Sequence, residues 1–179
     1  FDGTPSCAAT LDADGDGDLD LFIGGGSSLG QFPVAAPSQL FLYDNGSYTG
    51  SPLAKAGIVT GCPTGDMDSD GDADLVLSCE WGSIRLLLNE GGTFVLADDQ
   101  RGLDVSLLSM GFAVGDVNMD GSPDFFISAW MTGTLLYSLQ SQWIDFTDSV
   151  GINSELNLPR IGWGAWFSDV DVDGDLDLY

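Results

Sequence analysis

"DADGDGDLDLFIGG", residues 12–25, places five aspartates, Asp12, Asp14, Asp16, Asp18 and Asp20, on alternate positions ahead of a short apolar run. Carboxylates at that density repel one another at neutral pH unless they share a cation. The pattern recurs. "DMDSDGDAD" starts at Asp66, "DVNMDGSPD" at Asp116 and "DVDVDGDLD" at Asp169, at intervals of 54, 50 and 53 residues. All four fit D-x-[DN]-x-D-G-x-x-D, and each runs into an apolar segment: "LFI", "LVLS", "FFIS" or "LY". A near-constant period of this length is the mark of a repeat architecture.

The flanks repeat as well. Small and apolar residues precede each loop in "CAATL", "GCPTG", "GFAVG" and "GWGAWFS". A third apolar segment follows in "QLFLY", "SIRLLL" and "GTLLYSL", and a fourth in "GSYTG", "GTFVLAD" and "QWIDFTD". A recurring "AGI", "RGL" and "VGI", ending at Ile58, Leu103 and Ile152, closes each unit. Four short strands in about 50 residues predict an all-β chain of β-propeller blades, each of four antiparallel strands. The repeats fall at 1–58, 59–108, 109–160 and an incomplete 161–179. That is roughly 3.4 units, where a closed ring takes about 4–8. The expected object is therefore a partial propeller, an arc that continues beyond Tyr179. Its acidic loops should share one rim, and no strand pairing should join Phe1 to Tyr179.

The loop spacing identifies the cation. Side chains at loop positions one, three and five converge when the backbone curls, and Gly at six permits the turn. The carbonyl at seven and the carboxylate at nine complete an oxygen cage suited to Ca2+. The first set is Asp12, Asp14, Asp16, Asp18 and Asp20. The others are Asp66, Asp68, Asp70, Asp72 and Asp74; Asp116, Asn118, Asp120, Ser122 and Asp124; and Asp169, Asp171, Asp173, Asp175 and Asp177. About four Ca2+ are expected. Mg2+ suits the cage less, because it prefers fewer carboxylates and retained water. An EF-hand would need an acid at position twelve, which here holds Ile23, Leu77 and Ile127.

Composition narrows the function. The net charge is -24 with only four Lys and Arg, Lys55, Arg85, Arg101 and Arg160, so neither nucleic acid nor an anionic membrane surface is an expected partner. No membrane insertion is expected of this segment, because its long uncharged stretch 125–144 is interrupted by Ser, Thr, Gly and Gln. No signal peptide is visible, and the chain opens on Phe1, so the sequence reads as one with something upstream removed or not included. There is no His, which removes Ser-His-Asp, Cys-His and His-based zinc chemistry. Acids outside the loops, among them Glu80, Glu90, Asp98, Asp99, Asp104, Asp145 and Asp148, show no pairing that would mark a glycosidase. The chain is read as non-catalytic.

The loops and flanks, "MGFAVGDVNMDGSPDFFIS" and "GWGAWFSDVDVDGDLDLY" above all, resemble the FG-GAP/VCBS repeat family, known from the propellers of integrin α subunits, in its bacterial-type branch. The resemblance implies a propeller, seven-bladed in full, with Ca2+ in the loop joining the first two strands of a blade. It also implies a secreted or cell-surface setting. The expected role is binding or adhesion to an extracellular protein or glycan. The alternatives are a structural repeat that assembles with copies of itself, or the propeller part of a secreted carbohydrate-active enzyme.

Four further expectations concern single residues. Cys62 and Cys79 flank the second loop and lie nearly opposite in the strand pair it closes, which predicts a disulfide between them; Cys7 is left free or paired with chain outside this segment. "NGS" at Asn45–Ser47 is a glycosylation sequon in an exposed turn. Trp81 and Trp130, at near-equivalent places at the end of the second strand, are expected to pack between blades. Trp163 and Trp166, before the fourth loop, are expected in the core.

Overall fold

A computed structural model describes residues 3–53, 56–97, 100–139, 142–152 and 161–179. Phe1, Lys55, Asp98, Asp99 and Arg160 lie outside the described residues. The chain is all-β and antiparallel, with no α-helix among the described residues. In the first sheet Pro5–Leu11, Asp20–Gly25, Gln39–Asp44 and Ser47–Pro52 pair in chain order. The third sheet repeats this with Ser109–Gly115, Asp124–Ala129, Gly133–Leu139 and Gln142–Asp145.

The second sheet has the same plan with an interrupted first strand. Ile58–Gly61 and Thr64–Gly65 pair in turn along Asp74–Glu80, and Arg85–Asn89 and Phe94–Leu96 follow. The break falls at Cys62 and Pro63, since Pro cannot donate to the ladder. A fourth unit opens with Phe167–Ser168 paired to Asp177–Leu178. Among the described residues no strand pairing links the first sheet to this last pair.

The sheets stack face on face, and the period-two alternation of Asp74–Glu80 shows how. Leu75, Leu77 and Cys79 pack with Leu11, Phe22, Leu40 and Val59 of the first interface. Val76, from the opposite face, joins Leu86, Phe125, Ile127, Leu136 and Trp143 in the second. A strand covered on both sides reads as a continuous apolar run, here "LVLS". Each such side chain contributes about 1.5–3 kcal/mol by burial.

The disulfide differs from expectation: it joins Cys7 to Cys62, with Cα atoms 6.3 Å apart, and Cys79 is free. The register gives the reason. Cys79 lies opposite Val59, three residues before Cys62, and the pairings Gly61↔Ser78 and Thr64↔Leu75 on either side of Cys62 leave it out of register with Cys79. Cys62 instead meets the first strand of the neighbouring sheet, where Gly24 lacks the Cβ that would strike the Cys7 sulfur. Cys79 donates to the Ala56 carbonyl at 3.2 Å, and burial pushes its thiol up to about 11.

The tryptophans also differ. Trp81 and Trp130 are 66% and 50% exposed, on the connections between second and third strands. These connections lie at the sheet ends remote from the acidic loops. Trp81 adopts a left-handed φ of 60°, which turns its side chain out of the stack. Trp163 and Trp166 are likewise exposed; Trp166 stacks on Tyr179 rather than entering a core. Asn45 and Gly46 form the exposed two-residue turn expected of the sequon, both with positive φ.

The Cys7–Cys62 bond closes a separation of 55 residues, for which chain entropy gives about 4 kcal/mol. Urea unfolding of Cys7→Ser/Cys62→Ser should show a loss approaching that value, whereas Cys79→Ser should leave the oxidised linkage in peptide maps unchanged.

Candidate metal centres

Each acidic loop connects the first and second strands of its sheet and is built on one backbone plan. The carboxylate at position one folds over the turn. Oδ2 of Asp12, Asp66, Asp116 and Asp169 accepts from the N–H of Gly17, Gly71, Gly121 and Gly174 at 3.0, 3.1, 2.9 and 3.1 Å. At position five, Asp16, Asp70, Asp120 and Asp173 each accept the N–H of the residue two further on. The position-six glycines have φ between 88° and 101°, and no other residue type reaches such values cheaply.

Position four is left-handed too, at Gly15, Ser69, Met119 and Val172. The sequence conceals this, because the four side chains share nothing. Val172, at φ 63°, is the costly case for a β-branched residue.

Position nine anchors the loop. Asp20, Asp74 and Asp124 are fully buried. One oxygen of each accepts the N–H of loop position two: Ala13 at 2.8 Å, Met67 at 2.8 Å and Val117 at 2.9 Å. The other accepts from the third strand: Tyr43 at 2.7 Å, Asn89 at 2.8 Å and Ser138 at 2.8 Å. In the fourth loop Asp177 accepts from Val170 at 3.1 Å. Spacing alone marked these residues as ligands; their second task, tying loop to sheet, needed the register.

Neighbouring elements brace the first two loops. The buried Asn89 amide donates to the Ala13 carbonyl at 2.9 Å, and its oxygen accepts from Gly92. In the second loop Arg101 approaches the Met67 carbonyl at 3.5 Å and pairs with Asp68 at 3.6 Å.

The carboxylates converge as an ion would require. Asp12, Asp14 and Asp20 bring one oxygen each within 4.8 Å of one another, as do Asp66, Asp68 and Asp70, and Asp169, Asp171 and Asp177. Among the described residues the third loop forms no such triad; Asn118 and Ser122 replace two of its acids. Asp18 and Asp175 are exposed, as expected of residues that would offer only a carbonyl, while Asp72 is half-buried and accepts from the Gly91 N–H at 3.4 Å.

The fit to a cation is tested by one atom. Asp68 Oδ1 is buried and has no hydrogen-bond partner, a state that costs about 1–3 kcal/mol unless something positive fills it. Crowding shows in proton affinities as well. Asp14 is raised above the ordinary carboxylate value by desolvation and the charge of Asp16. Asp175 is raised by its hydrogen bond to Asp173 and by that neighbour's charge. Burial raises Asp74 and Asp124, against the backbone N–H groups that lower them.

Three mutational expectations follow from this plan. In EDTA, Asp74→Ala strands two buried N–H groups and should cost about 3 kcal/mol or more in urea unfolding; Asp70→Ala should be neutral or stabilising there, because it relieves repulsion and frees only the Asp72 N–H, an exposed donor that water can take up. Val172→Asn should gain about 1 kcal/mol, since Asn tolerates the left-handed region.

Comparison with curated proteins finds no match. The profile of the FG-GAP-like repeat matches residues 12–77 and again residues 66–127. Each match runs from one acidic loop to the strand beyond the next, and together they span more than half of the chain. With its loops, strand order and period on this plan, the chain belongs to the FG-GAP-like repeat family.

Proposed function

We propose that the four loops bind Ca2+ and that the chain is an arc of a calcium-stabilised β-propeller, a non-catalytic module for binding or adhesion outside the cell. The observation that carries the metal reading is the unpartnered, buried Asp68 Oδ1 inside a triad of converging carboxylates. A hard, multiply charged cation with oxygen preference satisfies it, and the loops hold four or five oxygens each. When bound, Ca2+ supplies the charge that lets 18 of the 28 acids lie in four short turns. The chain itself supplies the geometry. Asp12, Asp66, Asp116 and Asp169 are held by the Gly N–H, and the position-nine carboxylates fix the loop against the sheet.

An extracellular setting agrees with the Cys7–Cys62 disulfide, since such bonds persist in oxidising compartments. Extracellular calcium modules typically bind at about 0.1–1 mM, and the loops are proposed to work in that range. No described helix is long and apolar enough to cross a membrane. The binding role is favoured by Trp81 and Trp130, large apolar side chains presented to solvent on successive sheets. The partner is proposed to be an extracellular protein or a glycan.

Thermal unfolding in Ca2+ and in EDTA tests the metal reading. Each filled site should stabilise by about 2.7 kcal/mol at a hundredfold excess over its Kd, and an unchanged Tm would dismiss the proposal. Asp16→Ala should lower the Ca2+ increment more than Asp18→Ala.

The pH dependence should reverse sign with metal. Asp14, Asp74, Asp124 and Asp175 bind protons more tightly folded than unfolded. In EDTA their contribution therefore grows as pH falls toward the ordinary carboxylate value near ~4, and is lost as pH rises through their raised values. In Ca2+, acid should destabilise, because protonation expels the ion. Tm against pH in the two media reads this directly.

A further inference from the structure

Among the described residues, the second loop differs from the other all-aspartate loops in having a fixed positive charge beside it. Arg101 stands 3.6 Å from Asp68 Oδ2, and both side chains are about four-fifths buried. Its guanidinium also reaches the Met67 carbonyl of the same loop, at 3.5 Å. The first loop presents the equivalent Ala13 carbonyl to the neutral Asn89 amide instead. Only four basic residues occur in the whole sequence, and neither loop 12–20 nor loop 169–177 has a described ion pair.

The placement of Arg101 is enforced by its surroundings. It lies in the short 3-10 turn Gln100–Gly102 with a left-handed φ of 46°. Next to it, Gly102 packs so closely on the Trp143 carbonyl that a Cβ there would strike it. Leu103 is fully buried in the interface between the second and third sheets. The turn therefore holds the guanidinium against the loop from the third sheet's side.

We infer that Arg101 is a built-in counter-cation that makes the second loop bind its cation more weakly than the first. This inference rests on the reading of the loops as Ca2+ sites. Asp68 turns Oδ2 to the guanidinium and leaves Oδ1 unpartnered, so ion and arginine share one carboxylate without excluding each other. A fixed positive charge that close opposes an arriving divalent cation, in a partly buried site where screening is weak. It also neutralises part of the loop when calcium is low. The loops thus fill in order: the second loop loads only at higher Ca2+, and the arginine that delays it belongs to the segment packed on the next sheet. Occupancy of that loop is coupled to the joint between the second and third sheets.

The test is a Ca2+ titration followed by NMR on the 179-residue chain, reading the amide signals of Gly17 and Gly71, each hydrogen-bonded within its own loop. In the unaltered protein Gly71 should reach its midpoint at a Ca2+ concentration several-fold above that of Gly17. Arg101→Gln keeps a donor and removes the charge; it should lower the Gly71 midpoint by roughly tenfold and leave that of Gly17 in place. Arg101→Lys keeps the charge and should leave the order unchanged. A Gly71 midpoint at or below that of Gly17 in the unaltered chain, or one that does not fall in Arg101→Gln, overturns the inference while leaving the loops as Ca2+ sites. If neither glycine responds to Ca2+, the metal reading fails and the inference with it. The first comparison needs no variant, so a misfolded Arg101→Gln would not shield the inference from test.

Discussion

A buried carboxylate with both oxygens on backbone N–H groups is the interaction on which this structure turns. Asp20, Asp74 and Asp124 occupy the first residue of their sheets' second strands, and each ties loop position two to the third strand. Two strands and a loop thereby meet at one side chain. A neutral residue of similar size would leave one of those N–H groups unsatisfied, because only a carboxylate accepts at two oxygens with this fork. The cost of burying it is visible in Asp74 and Asp124, whose proton affinity burial raises even against those hydrogen bonds.

From that anchor the rest follows in sequence. The loop backbone is wound by position-one carboxylates onto the Gly N–H, and in three of the loops three carboxylates converge. The excess negative charge is then local, concentrated at one end of the stack, while the sheets themselves are joined by apolar side chains and a disulfide. Charge and core are separated along the strand direction. This is how a chain of net charge -24 keeps a continuous hydrophobic interior.

The fold was largely legible in the sequence because the repeat is printed four times. Four strands per unit could be placed from alternation and turn residues, and the loop between the first two from its glycine and aspartates. What escaped were features set by register and by contacts between sheets. Cys62 looks nearly opposite to Cys79 when residues are counted outward from the loop, but the register sets Val59 against Cys79 and leaves Cys62 to bond Cys7 of the first sheet. Trp81 looks like packing material until its left-handed backbone is known. The bracing of the loops by Asn89 and Arg101 joins residues 76 and 34 positions apart, beyond the reach of any local pattern.

The central claim is that each loop is a cation site held in shape by its position-nine carboxylate. A crystal of the chain grown in Ca2+, with the ion replaced by Tb3+ for anomalous diffraction, tests it most directly. The account predicts one anomalous peak inside each loop, about 2.3–2.6 Å from its carboxylate oxygens, with Asp20, Asp74 and Asp124 still accepting from Tyr43, Asn89 and Ser138. Loops without a peak, or position-nine carboxylates swung off the third strand to reach the ion, would contradict it.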